Sequence, residues 1–133
     1  MKKEDKLAVL GTEIEMYVYT NKVAPSRFAG CGALLEFPIK ESKQWQQEFM
    51  HDLEKAAPKY LVFYNNPFSW MVNPKSENLI MPWFNTFVKE HYDLIGFADM
   101  LPGGCNYVWK PDPVLYNVGP KGKLQIFTFE RKP

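Results

Sequence analysis

The sequence predicts one α/β domain: a three-layer, mostly parallel Rossmann-like sheet with helices on both faces and a C-terminal antiparallel β-hairpin. Three observations predict it. Apolar segments and amphipathic segments alternate in the order β-α-β-α-β-α-β before a final hairpin, and alternation of that kind implies a largely parallel sheet covered by helices. The segment Lys59-Tyr60-Leu61-Val62-Phe63-Tyr64 reads as a strand buried on both faces, the kind a parallel sheet needs. The length of 133 residues suits a single core, and a hydrophobic fraction of 46% with a net charge of +1 excludes disorder.

The first strand is Lys6 to Leu10, short, apolar and closed by Gly11. Thr12-Glu13-Ile14-Glu15 has the spacing of a capping box, so a short helix is expected to about Thr20. Val23 to Phe28 is expected to lead into a second extended segment, loosened by Gly30-Cys31-Gly32 and continued by Ala33 to Phe37. Glu41 to Ala57 is the strongest helix, with Trp45, Phe49, Leu53 and Ala56 at helical spacing and Pro58 as its stop. The strand from Lys59 follows and ends at the turn residues Asn65-Asn66-Pro67.

Phe68 to Lys75 reads as a loop of unusual apolar content. A third helix is expected over Leu79–His91, with Pro82 in its first turn, then a strand over Tyr92–Ala98. Pro102 to Pro113 reads as irregular. Val114–Val118 and Lys123–Phe129, bracketing Gly119-Pro120-Lys121-Gly122, predict the hairpin.

Several function classes are excluded or left without support. No block of like charge indicates nucleic acid or an anionic membrane as partner. Neither a dinucleotide-binding nor a P-loop glycine pattern follows the first strand, and Glu13 and Glu15 would repel a phosphate there. His51 and His91 fall on different helices without metal spacing, so no metal and no cofactor is expected. No apolar run follows Lys2-Lys3 that is long enough for a signal peptide or a membrane span.

The residues that draw attention stand on loops. Asn65, Asn66, Phe68 and Trp70 follow a central strand, where loops carry function, and Trp109 belongs to a second aromatic loop. Amides beside aromatics suit a sugar or lipid headgroup, and equally a packed lid or a docking surface. Arg27 can reach an anion above the sheet or pair on the surface. Cys31 and Cys105 can be buried small side chains or, in an oxidising compartment, a disulfide.

Met16-Tyr17-Val18-Tyr19-Thr20, then Pro25-Ser26-Arg27-Phe28, Asp52-Leu53-Glu54-Lys55 and Pro58-Lys59-Tyr60-Leu61-Val62 follow the Gly-Thr-Glu turn. This succession resembles the C-terminal soluble domain of bacterial membrane glycosyltransferases of the dolichyl-phosphate-mannose protein mannosyltransferase type. The resemblance spans residues 6 to 98, and Pro102 to Pro113 has no counterpart in it. It implies a noncatalytic accessory domain, residues 1–133, excised from a longer membrane protein. It also implies a periplasmic location at the inner membrane, which favours a Cys31–Cys105 bond. The implied partners are the transmembrane part of the parent enzyme and a glycan or lipid-linked sugar. Two other readings stay open: a stand-alone ligand-binding protein or enzyme with a site near Gly11, Arg27 and Asn65, and an interaction module using Phe68, Trp70 and Trp109.

Overall fold

In a computed structural model, which describes residues 1–110 and 120–133, the chain forms a mixed α/β domain around a five-stranded open sheet. Its elements are β1 (Leu7–Leu10), α1 (Glu15–Thr20), α2 (Gly32–Glu36), α3 (Lys40–Ala56), β2 (Tyr60–Asn65), α4 (Pro67–Trp70), α5 (Ile80–His91), β3 (Tyr92–Leu101), β4 (Gly104–Trp109) and β5 (Leu124–Arg131). The strand order is β1-β2-β5-β3-β4.

The sheet is mostly antiparallel, which corrects the expectation of a mostly parallel, Rossmann-like one. Only β1 and β2 pair in parallel, with Leu7 beside Tyr60 and Leu10 beside Phe63. The reason is adjacency and not direction. β5 runs antiparallel to both β2 and β3, so β1, β2 and β3 do point the same way. β5 slots between β2 and β3 and separates what the β-α-β order predicts to be neighbours.

The second extended segment is also corrected. Residues 23–30 form no strand, and Gly32–Glu36 is helix α2. Cys31, Leu34 and Leu35 are all buried, and their i, i+3, i+4 spacing is a helical stripe. The capping box does not form: Ile14 occupies the N-cap of α1 and offers no side-chain acceptor. The loop after β2 opens with the one-turn helix α4, started by Asn66, whose Oδ1 accepts from the Phe68 N–H at 3.0 Å.

The stretch expected to be irregular contains β4. It returns from β3 through Pro102-Gly103, and Gly103 sits at φ +92°, as the position after proline in a type II turn requires. One arm of the predicted C-terminal hairpin, Val114–Val118, lies outside the described residues, and the other is β5.

Helices cover the two faces unequally. On one face α2, α3, α4 and α5 bury Leu34, Leu35, Phe49, Leu53, Ile80 and Phe84 against Leu10, Leu61 and Phe63 of the sheet. Gln46 locks this layer from inside. Its amide donates to Leu34 O and Glu77 O and accepts from Leu79 N, so α3 holds both α2 and the approach to α5. On the other face α1 packs Tyr17 over Leu7, Val9, Val62 and Tyr64. Tyr17 Oη accepts from Val9 N at 2.8 Å, and burial pushes its pKa up to about 12. Among the described residues no helix lies over β3 and β4 on this face. No helix among them is long and apolar enough to cross a membrane.

Candidate functional site

Two places merit attention. The first is the C-terminal end of β1 and β2, where ligands of doubly wound sheets bind. Gly11 makes the turn out of β1 at φ +155°, and a Cβ there would come within 2.6 Å of the Ser69 hydroxyl. That hydroxyl accepts from Thr12 N at 3.1 Å and donates to Glu13 Oε2 at 2.5 Å. Tyr64 lies beside them. Burial lifts its pKa to about 12, with the charges of Glu13 and Glu15 adding to the shift. The cluster closes on itself: Ser69, buried on α4, clamps the turn that leads into α1.

The residues singled out around that end are tied to different elements. Arg27 donates twice to Glu48 of α3, at 2.6 and 2.9 Å, and its guanidinium lies 4.4 Å from the centre of the Phe28 ring. It is the surface ion-pair partner. Asn65 donates to Gln125 of β5 at 2.6 Å. Gln125 in turn donates to the carboxylate of Asp99 on β3, which also accepts from Lys121 N and Gly122 N. This ladder, buried at Gln125 and Asp99, ties β2, β5 and β3 together where β5 begins. Burial alone would raise the pKa of Asp99, but these hydrogen bonds outweigh it and hold the carboxyl below its ordinary value.

The aromatic candidates part company. Trp70 is a core residue, donating from Nε1 to Tyr64 O at 2.8 Å and packing on Phe63. Phe68, two residues earlier in α4, is 82% exposed. Trp109 lies far along the chain on β4, 63% exposed.

The second place is the open face around Trp109. Alternation along β4 sends Cys105, Tyr107 and Trp109 to the same side, and Tyr107 is 78% exposed. Gly96 stands opposite Trp109 in the register with β3. A Cβ on Gly96 would come 2.5 Å from Trp109 Cε3, so the ring lies against bare backbone. Trp109 thus forms one wall of a groove of about 290 Å³. Met16 and Thr20 of α1 form the opposite wall, with Val62, Tyr60 and Thr128 between. Sequence reasoning singled out Trp109, in an aromatic loop with Tyr107, but missed Gly96 and the face that the two aromatics share. The missing signal was β4 itself, since i and i+2 share a face only on a strand.

The cysteine pair is corrected here. Both thiols are free. Cys31 is fully buried in the helix-covered core, and burial pushes its pKa up to about 12. Cys105 is exposed on the open face, so the sheet separates the two. Among the described residues no group of three or more His, Cys, Asp or Glu side chains could hold a metal ion.

Comparison of the chain with protein-family models, curated proteins and solved structures finds no match to any of them.

Proposed function

We propose that the chain is a noncatalytic binding domain serving a polyprenyl-phosphate-sugar-dependent membrane glycosyltransferase on the extracytoplasmic side. The single observation that carries the binding part is the exposed aromatic strip of β4, with Trp109 seated on Gly96 at the rim of an apolar groove. A sugar ring has an apolar C–H face that stacks on an indole, and a lipid-linked sugar adds a hydrocarbon chain for the groove. The membrane-enzyme part rests on the sequence resemblance. Of its quoted segments, Arg27 of the second pairs with Glu48 of α3, and Pro58-Lys59-Tyr60 leads from α3 into β2.

Two experiments test the two parts. Titration of the chain with a polyprenyl-phosphate sugar in detergent is expected to change its tryptophan fluorescence, and Trp109→Phe is expected to abolish the change. A response unaltered in that variant contradicts the assignment to β4. The natural coding frame upstream of Met1 is expected to encode apolar stretches of about 20 residues. An in-frame stop codon directly upstream contradicts the membrane-enzyme part.

A further inference from the structure

Another cavity, of about 330 Å³, lies where β5 ends and β3 begins. Trp83, Phe87, Glu90 and His91 of α5 line it, together with Glu54 of α3 and Arg131 of β5. The α5 positions recur at i, i+4, i+7 and i+8, so one face of the helix supplies all four. Trp83 stacks on Phe87 with 4.7 Å between ring centres, and the His91 ring meets Phe87 edge-on at 5.2 Å. The three rings make one aromatic wall.

The charged groups around this wall are anchored but not neutralised. Glu54 Oε1 accepts from Trp83 Nε1 at 2.7 Å, which fixes a carboxylate at the edge of the indole. Arg131 donates from its guanidinium to Tyr92 Oη at 3.3 Å, and Tyr92 Oη donates to Pro58 O at 2.7 Å. The backbone beneath is pinned as well, since Arg131 N donates to Lys59 O and Lys132 N to His91 O. Among the described residues neither Glu54 nor Arg131 has a partner of opposite charge within ion-pair distance. Glu90 faces only the His91 imidazole, at 3.8 Å. Two carboxylates and one guanidinium thus share an aromatic cavity without pairing with one another.

We propose that this cavity binds a free α-amino acid with a basic side chain. The two cationic groups of such a ligand pair with Glu54 and Glu90, and its carboxylate pairs with the Arg131 guanidinium. Its methylene stem lies against Trp83 and Phe87, where the indole also favours a nearby ammonium. The balance of charge selects this class. With His91 neutral the cavity holds one negative charge in excess, and free lysine, with two ammonium groups and one carboxylate, cancels it. A simple anion leaves both glutamates unpaired beside it, and a simple amine faces Arg131 unpaired. The size selects it too, because small-molecule sites run from about 300 to 1,000 Å³ and this one is at the low end. The proposal is independent of the Trp109 strip. Alternation along β5 puts Arg131 on the side of Phe129, which packs on the helix-covered core, whereas Thr128 lines the groove beside Trp109.

The test is an amide-shift titration of the whole chain with L-lysine and three analogues, each lacking one charged group. Cadaverine lacks the carboxylate, norleucine the side-chain amine and ε-aminocaproate the α-amine. Lysine is expected to bind saturably and to shift the Trp83 indole and the amides of Phe87, Glu90 and Arg131. Each analogue is expected to bind roughly tenfold or more weakly, since each leaves one charge of the cavity unpaired. Arg131→Gln should bind lysine and cadaverine alike. Glu90→Gln should erase the difference between lysine and one of the two analogues that lack an amine. Melting temperatures of both variants separate lost binding from lost folding, and the comparison of ligands on the wild-type chain needs neither variant. Absence of saturable shifts with lysine overturns the proposal, as does equal binding of lysine and cadaverine to the wild type. Acetate binding as tightly as lysine also overturns it, since the cavity would then be a plain anion site.

Discussion

The two faces of the sheet are built by opposite rules. On the covered face, large side chains interdigitate and the polar groups are tied inward, as Gln46 is by Leu34, Glu77 and Leu79. On the open face over β3 and β4, Gly96 and Ala98 are small, and Met100, Tyr107 and Trp109 stand exposed. A core needs complementary volume, whereas a recognition surface needs rigid side chains left unburied. The contrast separates, residue by residue, the side chains that hold the fold from those the proposed recognition would use.

The largest expected effect lies on the covered face. Phe49→Ala leaves a cavity among Leu34, Leu53 and their neighbours, and urea denaturation should show a loss of about 3–5 kcal/mol. Next comes Gln46→Leu, which keeps the bulk but strands Glu77 O and Leu79 N. A loss of about 1–3 kcal/mol is expected, and a neutral result would mean those groups find other partners. On the open face, Trp109→Ala should cost at most about 1 kcal/mol, the size of a cross-strand pair. A loss as large as that of Phe49→Ala would erase the distinction between the faces.

The Asp99 ladder sharpens the comparison through pH. The folded pKa of Asp99 is depressed below the ordinary 3.8. Its carboxylate therefore contributes stability above about pH 3.8, and the contribution is lost as pH falls through the folded pKa. Asp99→Asn should be less stable than wild type at neutral pH, with the gap closing in acid. Melting temperatures measured across the acid range check this, and a gap that does not depend on pH refutes it. The mildest probe is thiol labelling of the native protein. Cys105 should react at once and Cys31 only on unfolding, and equal rates would contradict their placement on opposite faces.

Much of the covered face was legible in the sequence. Trp45, Phe49 and Leu53 announce α3 by period, and the apolar run from Tyr60 announces β2. α2 escaped because it is only five residues long and opens at Gly32, which reads as a break and not as a helix start. β4 escaped because it is an edge strand exposed along almost its whole length, so no buried face imprints apolar alternation on it. The Pro102-Gly103 turn was its only local signal. The neighbours of β5 could not be read at all, since strand order depends on pairings distant in sequence. The candidate site shared these limits. Trp70 and Asn65 looked like ligand contacts because tryptophan and amides look alike in sequence whether they bind outward or lock inward.

The most direct test of the central claim is an amide chemical-shift map of the chain titrated with a polyprenyl-phosphate sugar, in the wild type and in Gly96→Ala. In wild type, shifts should fall on Tyr107, Trp109, Thr128 and Val62 and spare α3 and α5. In Gly96→Ala, where the new methyl displaces the Trp109 ring, binding should weaken while the shifts of the covered core stay in place. Shifts centred on Gly11, Glu13 and Ser69, or binding unchanged in Gly96→Ala, would contradict the account.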